Sequence, residues 1–176
     1  MSDKNQIQEL ISEVSTAFAD VTLEDGVTLH EAMAMDEWKP REKQLAARKL
    51  DTDQGWQDVS EEFILAGNSA ATFLDAKGFR YYLPAFIIYG LKNWDSSSTS
   101  ILDSCQFCLL QEPQKSLRQS DPQAIANKYG FTPAQSRAIA HFLRLHVGPA
   151  DETNTYDAPT LQAVAKWESF VAGLPD

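Results

Sequence analysis

Ile7, Leu10, Ile11, Val14 and Phe18 recur at three- and four-residue intervals, which lines one face of a first helix with apolar side chains. Gly26 interrupts the pattern. Thr28, with Glu31 three residues later, has the form of a capping box and predicts a second helix carrying Leu29, Ala32, Met33 and Trp38. Pro40 then opens a third helical stretch, Arg41 to Leu50, in which strong helix formers dominate. An acidic turn closed by Gly55 follows. Asp58, with Glu61 three positions on, is the expected cap of a helix bearing Phe63, Ile64 and Leu65. Gly67-Asn68 ends that helix, and helical pattern resumes over Ala70 to Ala76 until Gly78.

The most apolar stretch of the chain runs from Phe79 to Trp94. Pro84 breaks a helix interior, so the pattern predicts a turn at Gly78–Tyr82 and a helix from Leu83 to Leu91 with Pro84 in its first turn. That helix has little polar face, which marks it as central and buried. The aromatics after Gly78 also fit a short strand near Phe79–Tyr82. Further on, Ile101, Leu102, Cys105, Cys108 and Leu109 form a stripe. Asp121-Pro122 and Thr132-Pro133 with Gln135 are two helix starts, Gly130 and Gly148-Pro149 two stops. Leu161, Val164, Trp167, Val171 and Leu174 line a last helix. The expected fold is all-α: a compact multi-helix orthogonal bundle of about seven to nine short helices around a central apolar helix. Residues 1–176 are read as a single helical domain, with mobile segments at 93–100, 112–121 and 148–158.

Composition narrows the function more than it widens it. The chain of 176 residues is 43% hydrophobic and 23% charged, ordinary for a globular domain. Its longest apolar run, Leu83 to Leu91, falls well short of the ~20 residues of a membrane span. The polar start lacks the layout of a secretory signal, and two cysteines make no disulfide framework, so a cytoplasmic location is expected. The net charge is −10, and residues 1–60 carry 13 acidic against 6 basic groups. Such an excess disfavours nucleic acid, which needs clustered Lys and Arg, and suits a basic protein partner.

The candidate chemistry is thin. Cys105 and Cys108 form one CxxC, but they lie inside a helical stripe, not at the helix N-terminus that activates a redox thiolate. His141 and His146 could join them in a zinc set, yet five residues on a helix splay two side chains by about 140°. Asp51, Asp53 and Glu62 match positions of a calcium loop, and Trp56 occupies the place where that loop needs glycine. Adjacent carboxylates such as Glu61-Glu62 diverge by about 100° and make no catalytic dyad. No catalytic, cofactor-binding or metal-binding residues are expected, and no cofactor.

One segment stands apart: Gly78-Phe79-Arg80-Tyr81-Tyr82-Leu83-Pro84. Buried tyrosine hydroxyls need partners, and Arg80 needs solvent or a carboxylate, for instance one from the acidic turn. Trp56, Asp58, Arg80, Tyr81 and Tyr82 are therefore the candidate interaction or structural motif. The acidic turn with Trp56, Asp58 and Val59, then Phe73-Leu74-Asp75, Gly78 through Ala85, and the capped helix with Ala140 and Phe142-Leu143-Arg144 resemble a family of small uncharacterised bacterial proteins, a domain of unknown function. The likeness covers Val27 to Leu91 and Phe131 to Leu145. It implies a helical fold and a bacterial source, and it brings no catalytic residues. The function expected on this basis is protein–protein interaction, with an immunity- or antitoxin-like role as its concrete version. The alternative is a small enzyme using a cleft near the acidic turn and Tyr81/Tyr82.

Overall fold

Side chains that accept hydrogen bonds from free backbone amides decide where most of the helices begin. Asp75, Asp121, Thr132 and Asp157 each cap a helix through their own oxygen, and three of those helices carry proline in the first turn, where no amide is needed. The structure, a computed structural model, describes residues 3–67, 69–94, 100–111, 116–148 and 155–175. These hold nine α-helices and no strand: α1 (Asp3–Ala17), α2 (Leu29–Asp36), α3 (Arg41–Ala47), α4 (Glu61–Ala66), α5 (Ala76–Lys92), α6 (Ser100–Leu110), α7 (Pro122–Tyr129), α8 (Pro133–Val147) and α9 (Ala158–Ala172). Short 3-10 turns occupy Arg48–Leu50, Trp56–Asp58, Ser69–Phe73 and Leu117–Gln119. The fold is all-α, as its periodicity predicts. Of the stretches expected to be mobile, residues 95–99, 112–115 and 149–154 lie outside the described residues, as does Asn68.

The helices gather into two compact units, Phe18–Cys105 and a unit formed by Met1–Ala17 with Gln106–Asp176. In the second of these, α8 packs against both α1 and α9. Its apolar face of Ala138, Ile139, Phe142 and Leu143 is wholly buried, as are Leu10 and Val14 of α1 and Val164 and Trp167 of α9. The Trp167 indole donates to the Leu109 carbonyl at 2.9 Å, which satisfies its N–H inside the core. Arg144 and Glu168 form an ion pair between α8 and α9, and His141 meets Glu13 at 2.7 Å.

In the unit Phe18–Cys105 the central element is α5. Twelve of its residues are buried, among them Phe79, Tyr81, Tyr82, Leu83, Pro84, Phe86 and Ile87. It begins seven residues earlier than the apolar pattern predicts, and Pro84 lies inside it. The reason is local: Asp75 Oδ1 accepts from the Gly78 amide at 2.8 Å and starts the helix there, so no turn and no strand forms at 79–82. Pro84 forfeits one helical hydrogen bond, a cost offset by the burial of almost every neighbouring side chain. Gly78 has no room for a side chain, since a Cβ there would lie 2.3 Å from the Val27 carbonyl oxygen. The same Asp75 oxygen also accepts from the Val27 amide at 2.9 Å, so one carboxylate starts α5 and fastens the preceding loop to it.

Three other starts and stops differ from the sequence reading. Ser60, not Asp58, caps α4, accepting from Phe63 N; Asp58 belongs to the 3-10 turn before it. Only half of the capping box at Thr28 forms, because the Glu31 side chain is drawn into the interior by two arginines. Trp38 lies beyond α2, not on it. The helix ends at Asp36, with Lys39 N bonding Ala34 O and Trp38 N bonding Met35 O.

Candidate functional site

The five residues singled out in the sequence divide into a buried scaffold and an exposed fringe. Trp56 is buried, and its indole N–H donates to the Phe18 carbonyl at 2.8 Å. Tyr81 and Tyr82, 3% and 1% exposed, meet edge to face at 4.9 Å, and Tyr82 stacks on Phe86. Arg80 is half-buried and pairs with Glu24 at 2.8 Å, so its carboxylate comes from the loop before α2 rather than from the acidic turn. Lys77 joins the same loop through Glu24 and Asp25, and its ammonium holds both carboxyls below their usual range. Asp58 is exposed. The motif thus gathers Trp56, Tyr81 and Tyr82 into the core, with Asp58 and Arg80 outside it.

The acidic turn faces those tyrosines. Asp51, its side chain 4% exposed, accepts from the His30 amide at 3.1 Å and contacts His30 Nδ1 at 2.8 Å. Burial raises Asp53, and the neighbouring Asp51 charge adds to it; one of its oxygens is enclosed with no hydrogen-bond partner. Burial likewise pushes the Tyr81 hydroxyl up to about 12, assisted by Asp53, Asp58 and Asp51. Tyr82 is raised by burial too, against a hydrogen bond with the Leu29 backbone. Protonated tyrosines at neutral pH are donors here, not bases. Among the described residues no three His, Cys, Asp or Glu side chains gather as a metal set. Cys105 and Cys108 are buried and are not joined in a disulfide, and burial raises Cys108 to about 11, away from the reactive thiolate. His146 stacks on Phe142.

Beside the turn lies a cleft of about 220 Å³, lined by Trp56, Val59, Ile64, Ala85, Ile88 and Tyr89, with Gln57, Glu61 and Lys92 as polar members. Neither Tyr81 nor Tyr82 lines it.

Sequence reasoning missed a second feature altogether. α3 and the 3-10 turn Arg48–Leu50 bury no residue at all. The segment is held by ions: Glu31 on α2, 1% exposed, receives Arg41 at 2.6 Å and Arg48 at 2.8 Å, and Arg48 also donates to the Gly26 carbonyl. The seven-residue spacing of Arg41 and Arg48, two helical turns, was the available signal. At the head of this strap stands Trp38, 89% exposed, with φ of 55°. Its two backbone bonds make a Schellman motif with Trp38 in the left-handed position that glycine usually fills. α7 ends in the same way, Phe131 N bonding Ala126 O, with Gly130 at φ 68° in that position. Leu45 and Leu50 are also exposed, at 45% and 58%.

No helix among the described residues is long and apolar enough to cross a membrane. No curated protein and no solved structure matches the chain. Residues 6–169 match the model of a family described as a family of unknown function, DUF6714, and with nearly its whole length so matched the chain belongs to that family.

Proposed function

We propose that this protein works by binding another protein, with Trp38 as the anchor of the contact face. One observation carries the reading. A bulky side chain occupies a left-handed backbone position that costs roughly 1–2 kcal/mol for a residue with a Cβ, and it returns nothing to the fold because 89% of it faces solvent. Tryptophan is among the residues that dominate binding energy at protein interfaces. Leu45 and Leu50 add apolar surface on the same strap.

An immunity- or antitoxin-like role is the concrete version, and it draws on the net charge of −10. Several of the acidic groups in the first sixty residues have counterions within the protein: Glu31 has two arginines, and Glu24 and Asp25 have Lys77. On the Trp38 strap Arg41 and Arg48 are paired with that same Glu31 and Lys39 with Glu37, and the exposed Lys43 and Lys49 turn the preference at this face towards an acidic partner surface. The enzyme alternative has less behind it, since both tyrosine hydroxyls that it would use are enclosed.

Titration calorimetry against the products of adjacent genes tests the proposal, with the natural chain and Trp38→Ala compared at low and high salt. Binding that Trp38→Ala weakens by roughly tenfold or more supports it. Binding to none of them sinks the immunity- or antitoxin-like version, and equal affinity of the variant sinks the role of Trp38.

A further inference from the structure

The strap and the turn that follows it have opposite charge. Residues 39–50 hold Lys39, Arg41, Lys43, Arg48 and Lys49 against a single Glu42, five of the 15 basic groups in the chain. Residues 51–62 hold Asp51, Asp53, Asp58, Glu61 and Glu62 and no basic residue. Arg41 and Arg48 are paired with Glu31 and Lys39 with Glu37, so the charge turned outward is that of the exposed Lys43 and Lys49 on the first stretch and of the exposed Asp58, Glu61 and Glu62 on the second. The first carries the exposed anchor Trp38 at its head. The second borders the cleft whose lining includes Val59, Ile64, Ala85 and Ile88.

From this juxtaposition we infer that the occupant of the cleft is Trp38 of a second copy of the chain, with the basic strap of one copy lying on the acidic turn of the other. The inference rests on the reading of Trp38 as a binding anchor and names its partner. The size of the cleft agrees with it. At about 220 Å³ it is smaller than the ~300–1,000 Å³ of sites for drug-sized ligands and of a scale for one large side chain. Val59, Ile64, Ala85 and Ile88 in its lining suit the apolar body of an indole, and the Gln57 and Glu61 side-chain oxygens are acceptors at hand for the indole N–H. Because each copy carries both an anchor and a cleft, the contact can be made twice about a two-fold axis, the arrangement most homo-oligomers adopt. The charge pattern favours the same pairing. Like stretches repel, so strap meets turn rather than strap, and the attraction is one that salt screens.

Light scattering on the full chain, from micromolar to millimolar concentration, tests this. The mass should climb from 19.6 kDa towards twice that value as concentration rises, and the midpoint should move to higher concentration with added salt. Trp38→Gly and Trp38→Ala should each weaken association by roughly tenfold or more while the circular dichroism spectrum stays unchanged. The double variant Lys43→Glu/Lys49→Glu should be monomeric alone, as should Glu61→Lys/Glu62→Lys, and mixing the two should restore association. A mass of 19.6 kDa at every concentration overturns the inference. So does a monomer that partitions through Trp38 onto phosphatidylglycerol vesicles, which would give the strap to a membrane surface. A monomer that binds a different protein through Trp38 overturns the second copy alone and leaves the protein-binding function standing. Self-association indifferent to Trp38→Gly overturns this inference alone, because it places the contact elsewhere and leaves Trp38 as an anchor for a different partner to the calorimetry.

Discussion

Arg48 Nη1 lies 2.8 Å from Glu31 Oε2, and the carboxylate it meets is 1% exposed while the guanidinium keeps a third of its surface in solvent. A buried anion is thus neutralised from outside by a segment that buries nothing else. Arg41 does the same from the start of α3, the helix just before it. The attachment of the strap is ionic, where α5, α8 and α9 are held through buried apolar faces.

Removing both arginines should therefore be far worse than removing either. Arg41→Met/Arg48→Met leaves Glu31 as an unpaired interior charge, which costs about 3–5 kcal/mol, whereas each single variant retains one partner and loses less. Adding Glu31→Gln to the double variant should recover much of the loss, because the neutral amide no longer needs a counterion. Urea unfolding of the four variants and the natural chain reads these differences. Equal stability of the double variant and the natural chain would show that the buried pair holds nothing.

Gly78→Ala should reverse the usual sign of a helix substitution. Alanine in a helix interior normally gains about 1 kcal/mol over glycine. Here its Cβ would stand 2.3 Å from the Val27 carbonyl oxygen and 3.0 Å from Asp75 Oδ1, so backbone must move. A net loss of about 1–3 kcal/mol in thermal or urea unfolding is expected.

The tyrosines make the protein sensitive to alkali. Tyr81 is raised to about 12 in the folded chain, above its ordinary value of 10.0, and Tyr82 and Tyr129 are raised in the same direction, all chiefly by burial. A raised folded value means that the folded state keeps protons the unfolded state releases. The stabilisation is complete below pH 10 and is lost as pH climbs from there through about 12. Absorbance at the tyrosinate band should accordingly rise late and together with unfolding, not ahead of it.

Asp53 has the opposite consequence at neutral pH. Its folded value is raised by burial and by Asp51, so the charged form is held at a disadvantage, present above the ordinary value of 3.8. Asp53→Asn should raise the midpoint of thermal unfolding at pH 7, and the gain should vanish in acid, where the natural carboxyl is protonated. A lower midpoint at pH 7 would mean that the enclosed oxygen has a partner worth more than the repulsion it suffers.

Much of the fold was legible along the chain because helix periodicity and capping are local. The stripes of α1, α6, α8 and α9 and the starts at Asp121 and Thr132 need only neighbours within a turn or two. Pro84 was misleading because its local cost is real, and only the burial around α5 shows why it is tolerated. Trp38 was misleading in the other direction. The sequence reading placed it on α2 with Leu29 and Met33, although five residues after Met33 is another face of a helix, and the backbone leaves the helix at Asp36 before reaching it.

By itself, then, the sequence determined an acidic, all-helical chain, the positions of most helix ends, and a central apolar segment at 83–91 that is buried. These follow from spacing and from single capping side chains, which act over a few residues. Tertiary structure alone decided that Arg80 turns to Glu24, that Glu31 is buried between two arginines, that Asp51 meets His30, and that Trp38 faces water beside a strap with no buried side chain. Those pairings join residues that lie about ten to fifty-six positions apart in the chain. Charge has no periodicity that reveals its partner, and exposure depends on what the rest of the molecule leaves uncovered.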